Sequence, residues 1–197
     1  MSGQRYRLVT RSDFDGLVCA VLLRAKDLID DIVFVHPKDV QDGLVEVTER
    51  DILTNLPYAP RAHLVFDHHS SEALRNAAGA ANHVLHPAAP SAARVVHDHF
   101  GGAARFPGVS ADLMAAVDQA DSAAYGLEDV LRPTGWALLN YLMDSRTGTS
   151  PASRHSGRRV DELGAAGVSG RPRSCGLAAP RPGRRRGSRP LPGRWHG

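Results

Sequence analysis

The sequence predicts an α/β domain, a mostly parallel five-stranded sheet flanked by helices, followed by a disordered Arg/Pro/Gly-rich tail. Three observations predict it. Short, almost wholly apolar runs alternate with longer helix-forming segments, as a parallel sheet covered on both faces requires. Polar clusters rich in Asp and His stand directly after two of those runs, where open α/β sheets place their ligand crevice. The composition then changes abruptly near Gly148.

In chain order, "YRLVT" (6–10) is a short strand running into the turn "RSDFDG". "GLVCAVLLRAKDLID" (16–30) is a long apolar helix in which Leu17, Val21, Leu22 and Leu28 share a face. "DIVFVHP" is a second strand ended by Pro37, and "DILTNLP" and "HLVFDHH" are a third and a fourth. "SSEALRNA" opens with a Ser/Glu pattern suited to a helix cap, and "NHVLHP" is a fifth strand. "SAARVVHDHF", "SADLMAAVDQADSAA" and "GWALLNYLMD" read as helices.

The 197 residues are 42% hydrophobic, enough for a globular body. The net charge of +3 hides an asymmetry: residues 1–148 hold 13 Lys+Arg against 19 Asp+Glu, whereas residues 149–197 hold 11 Arg against 2 acids. The body is acidic and the tail basic. That tail contains no Ile, Phe or Tyr. It cannot offset an ordering entropy of about 1–2 kcal/mol per residue, so disorder is predicted and the domains read as 1–148 and 149–197. Its composition follows from GC-rich codons, which predicts a reading-frame shift; the rival is a genuine basic tail that binds nucleic acid or polyphosphate.

Cys19 and Cys175 are the only cysteines, which argues against a disulfide framework. No apolar run reaches the roughly 20 residues a bilayer span needs. The N-terminus also lacks a secretory leader, so a cytoplasmic setting without a membrane partner is expected.

Two motifs carry the chemistry. Asp13 and Asp15 lie two apart on a strand-to-helix turn, with Gly16 allowing a sharp bend. Carboxylates this close repel unless a cation lies between them. Their hard oxygens favour Mg²⁺ or Mn²⁺, and an imidazole shifts the balance to Mn²⁺. A DxD turn alone fits an ordinary Asp-rich loop equally well. "FDHH" is more specific, because a buried polar triplet is costly unless each group is paired or bound to metal. His68 can ligate a cation, while Asp67 and His69 can serve as ligand, orienting partner or phosphate contact.

These motifs carry a resemblance. "RSDFDGLVCAVLL", "VFDHHSSE" and "AAVDQADSAAY" are similar to the first, signature and later aspartate motifs of the DHH phosphoesterases. "HPKDVQDG" and "DILTNLPY" look most like the branch described as exopolyphosphatase-related, and the likeness covers roughly residues 5–148. "DFDG" is also similar to the opening of the haloacid-dehalogenase phosphatases. That alternative needs later Ser/Thr, Lys and acidic partners, and it leaves "DHH" unexplained.

The DHH resemblance implies two Mn²⁺ (or Mg²⁺) ions that activate water for in-line attack on phosphorus. Carried over by position, Asp13, Asp15, His68 and Asp121 are metal ligands, with Asp118 a lesser substitute for Asp121. Asp67 and Asn55 join the expected metal set, and His69 is the catalytic or phosphate-facing residue. The sequence departs from the pattern twice. Val9, Thr10, Arg11 and Ser12 precede Asp13 where many members carry a His, and Asn55 stands where a bridging Asp is usual. Asp51 substitutes for that Asp only if the strand register differs.

Expected partners are a phosphate-containing small molecule, polyphosphate or a short oligonucleotide, with a homodimer among the assemblies to expect. The expected function is metal-dependent hydrolysis of phosphoanhydride or phosphodiester bonds. Family members carry a second domain that grips substrate, and nothing after residue 148 reads as one, which predicts weak or absent activity. The alternative is a non-catalytic phosphate-ligand or nucleic-acid binding module. His36, His86, His97 and His99 are expected in surface or core roles, and Trp136 and Tyr141 in packing.

Overall fold

The five strands lie in the order β2-β1-β3-β4-β5, all parallel: β1 Tyr6–Arg11, β2 Ile29–Val35, β3 Asp51–Thr54, β4 Leu64–Asp67 and β5 His83–Leu85. This computed structural model describes residues 3–75 and 79–143. The sheet class and all five strands agree with the sequence reading. The tail predicted at 149–197, with Cys175, lies outside the described residues. Among the described residues, no helix is long and apolar enough to cross a membrane.

Helix α1 (Phe14–Ala25) is shorter than the 16–30 its sequence predicts. Lys26 ends it, Asp27 takes a left-handed φ of 56°, and the N–H groups of Asp27 and Leu28 bond back to the carbonyls of Arg24 and Leu23. This paired return is a Schellman motif, here built on Asp instead of Gly. Leu28 therefore leaves the helix, and β2 begins at Ile29. Val21 is exposed, and the buried residues of α1 are Phe14, Val18, Cys19, Leu22 and Leu23 with their small neighbours.

Alternation along the strands divides the apolar side chains between two cores. Leu8, Ile52 and Phe66 face one, where α1, α4 (Ala92–His99) and α5 (Ala111–Asp121) pack. Val9, Leu53 and Val65 face the other. That second face is covered by Val40 of the short α2 (Pro37–Gln41) and by Val45, Val47, Tyr58 and Ala59, so connecting segments do what a long helix would do elsewhere. Pro37 both ends β2 and opens α2, and the His36 ring caps that helix by accepting the Lys38 N–H at 3.1 Å. The remaining helices are α3 (Ser70–Arg75), α6 (Leu127–Leu131) and α7 (Gly135–Met143).

The strand order reverses between β1 and β3, since β2 lies on one side of β1 and β3 to β5 on the other. A crevice opens beyond the carboxyl ends of strands at such a reversal. β1 runs into Asp13, β3 into Asn55, and β4 ends in Asp67 before His68 and His69.

Candidate metal centre

Each donor is brought to this rim by a local feature. Asp13 is the N-cap of α1, its carboxylate accepting the Gly16 N–H at 2.8 Å. Gly16 is needed for space, not for a left-handed turn: a Cβ there would lie 2.1 Å from the Arg11 carbonyl oxygen. That close approach folds Asp15 back into the protein, where its oxygens accept the N–H groups of Ala92 and Ala93 at 3.1 and 2.8 Å. Those are the first free N–H groups of α4, capped by Ser91, so a helix N-terminus holds this buried carboxylate.

His68 is oriented from behind. Its Nδ1 donates to the Ala89 carbonyl at 3.2 Å, which fixes the tautomer and leaves Nε2 for another partner. Nε2 lies 2.8 Å from Asp121 Oδ2, off the axis of a good hydrogen bond, so the two meet as charges. Asp121 is the last residue of α5. A carboxylate is disfavoured there by the helix dipole. Burial pulls His68 down, but Asp121, with Asp15 behind it, outweighs this and pushes it up to about 9.

Asp15, His68 and Asp121 each offer one ligand atom within 4.8 Å of the others. This trio is short of positive charge. Burial first, then Asp121 and Asp13, push Asp15 well above the usual carboxylate range. A divalent cation would remove that penalty, and two carboxylate oxygens with one imidazole suit Mn²⁺ or Mg²⁺. The residues present therefore fit one ion.

Asp13 sits differently. Arg11 Nε lies 2.9 Å from Oδ2, and the Asn55 side-chain amide donates to the same oxygen at 3.2 Å. Burial raises Asp13 above its ordinary range, with Gly16 and Arg11 opposing. Asn55 is buried with a left-handed φ of 54°, a conformation Asn tolerates far better than most residues, and its Oδ1 has no partner.

Asp67 is a hub for its own turn. Oδ1 accepts the N–H groups of His68 and His69 and lies 2.7 Å from His69 Nδ1. Its Oδ2 is buried without a partner. Two cavities meet here. One, of about 530 Å³, is lined by Asp13, Asp15, His68 and Asp121; the other, of about 170 Å³, by Asn55, Asp67 and Arg75, and both share Arg11 and His69.

Two expected substitutes lie elsewhere. Asp51 is at the opposite end of β3, bonded to Arg7, so it does not replace the bridging residue. Asp118 is taken by Ser91 at 2.7 Å and by Arg94 at 3.0 Å and secures α4. His97 and His99 pack against Phe106 and Phe66, and Trp136 and Tyr141 against Phe14 and Tyr125. The sequence reading named Arg11 only as standing where a His is common, gave it no role, and passed over the N–H pair of α4. Their signals were a basic residue two before Asp13 and the cap sequence "PSAA".

Among solved structures, the chain is similar to a pGpG-specific phosphodiesterase, PggH from Vibrio cholerae, with 59% identity and a TM-score of 0.68. The match covers 77% of this chain and 48% of that one, so the chain spans about half the length of this relative. No family model matches the chain, and no curated protein does.

Proposed function

This chain belongs to the DHH phosphoesterase family, and from that premise we propose that it is a divalent-metal-dependent hydrolase of the phosphodiester bond in very short oligonucleotides such as pGpG. The observation that carries the reading is the charge-deficient trio of buried Asp15 and part-buried His68 and Asp121 on a rim open to a cavity of about 530 Å³. The 59% identity to a pGpG phosphodiesterase favours a dinucleotide over polyphosphate. We assign residues 1–148 to this domain, 149–197 to a separate basic tail, and the whole to the cytoplasm.

Asp15, His68 and Asp121 would hold the ion, which when bound would supply Lewis acidity and lower the pKa of water. The remaining work falls to this chain's own side chains. Asp67 accepts a bond from His69 Nδ1 and so presents Nε2 to the cavity, the orientation logic of a carboxylate–histidine pair. With both ring nitrogens protonated, His69 passes its Nε2 proton to the departing 3′-oxygen as water adds to phosphorus and gives up one proton to solvent; the P–O3′ bond breaks and two mononucleotides leave. Arg11 offsets the phosphate charge from the wall shared by both cavities.

The test is hydrolysis of pGpG, pyrophosphate, polyphosphate and longer oligonucleotides by the full chain with Mn²⁺. Release of GMP from pGpG, lost in His68→Ala, supports the reading; turnover unchanged by that substitution sinks it. The amide of Asn55, neutral beside Asp13, favours a second reading, a phosphate-ligand module without turnover. It predicts that pGpG binds and survives intact.

A further inference from the structure

We propose that this domain holds a single divalent cation, at Asp15, His68 and Asp121, and that the guanidinium of Arg11 takes the place of a second ion beside Asp13. The inference rests on the metal-dependent reading above and deepens it.

Charge accounting at the rim separates the two positions. Asp15 and Asp121 share His68 alone, and backbone N–H groups supply Asp15 with dipoles but no charge. Asp13, by contrast, already has a full positive charge at 2.9 Å in Arg11. Its oxygens also receive the N–H of Gly16 and the amide of Asn55. An ion entering here would displace donors that are already in place.

Bridging chemistry points the same way. Two ions held close together need an anionic oxygen between them to screen their repulsion. Asn55, between the two strand ends, turns its NH₂ toward Asp13 and has only a neutral carbonyl oxygen left to offer.

The other group of metal-philic side chains, Asp67, His68 and His69, does not make a second site. His68 Nδ1 is bound to Ala89, so its one remaining nitrogen serves a single ion. Asp67 Oδ1 is taken by three donors of its own turn, so without His68 this group keeps only Asp67 Oδ2 and one nitrogen of His69, too few donors to hold an ion. Among the described residues, Asp13 belongs to neither group. Arg11 keeps 45% of its side chain exposed and lines both cavities, so its charge is fixed in place and still reaches the space where a phosphate would lie.

The experiment is metal counting on the full chain, with the Mn²⁺ content after equilibrium dialysis and its paramagnetic resonance spectrum as readouts. The wild type is expected to bind one Mn²⁺ with the spectrum of an isolated ion. The double variant Arg11→Ala/Asn55→Asp is expected to bind two, with exchange coupling between them. Two coupled ions in the wild type overturn the proposal, and so does a folded double variant that stays at one. Asn55→Asp alone serves if the double variant fails to fold. A second, weaker ion is then expected, and its absence overturns the proposal. A wild type that binds no Mn²⁺ instead removes the functional reading beneath it.

Discussion

At the amino ends of β1 and β3, Asp51 meets the Arg7 guanidinium through two hydrogen bonds of 2.6 and 2.7 Å and takes two more from Thr48; at the carboxyl ends of the same strands, Asp13, Asp15 and Asp121 converge with one imidazole and one half-exposed arginine. Asp51 and Asp15 are both closed to solvent, with relative exposures of 1% and 2%, although Asp51 lies at the shallower depth. Burial alone would raise Asp51, but Arg7 and Thr48 outweigh it and hold it below the usual range. At the other end burial prevails and Asp15 is raised. One pair of strands thus carries a carboxylate whose needs are met within the fold and others whose needs are not. The first arrangement supports stability, and the second creates a demand for an outside cation.

Substitutions at the two ends should separate these roles. The largest effect is expected from His68→Ala, which removes a proposed ligand. Mn²⁺ affinity should fall by about 100-fold or more. The wild type should gain about 2.7 kcal/mol at an Mn²⁺ concentration 100 times its dissociation constant, a thermal shift that His68→Ala should lack. A variant that keeps the full shift breaks the comparison.

Gly16→Ala tests the scaffold under the metal end. With a Cβ 2.1 Å from a backbone oxygen, α1 must move. A loss of about 2–3 kcal/mol in denaturant unfolding is expected, with weakened Mn²⁺ binding. A neutral result would show that the close approach is dispensable.

Asp51→Ala should act on stability alone. Breaking a buried pair costs about 3–5 kcal/mol. Arg7 is 36% exposed and can rehydrate, so about 2 kcal/mol is the expected loss. The Mn²⁺ thermal shift should not change. Loss of that shift would mean that the two ends are coupled.

The smallest effect is in the pH profile. Because the folded state holds Asp51 below its unfolded value, its contribution is complete above the unfolded pKa of about 3.9 and disappears as pH falls through the folded value. Asp51→Asn should remove that acid step. Asp15 has the opposite sign: raised in the fold, its charge opposes folding at neutral pH, and protonation relieves this as pH falls. Metal-free protein carrying Asp51→Asn should therefore show a flatter acid limb than wild type by circular dichroism, and an unchanged limb would count against the pairing.

Much of this was legible in the sequence because it rests on local patterns. Strand ends announce themselves where an apolar run meets Asp or His, so the rim position of Asp13, Asn55 and Asp67 could be read directly. Less legible was anything depending on a partner distant in the chain. The end of α1 was misplaced because Leu28 and Ile29 continue its apolar pattern, while a left-handed Asp27 stops it. Gly16 was read as a flexible turn, though its role is set by a carbonyl on the preceding strand. The role of Arg11 escaped notice because it depends on Asp13 and Asn55 meeting across two strands.

The left-handed backbone at the end of β3 has a consequence for how such a domain can change over generations. That conformation is comfortable for few residue types, chiefly Gly, Asn and Asp. The codons for Asn and Asp differ at a single base. Drift at position 55 is therefore steered between an amide and an acid of nearly identical shape, and the backbone is indifferent to which one it inherits.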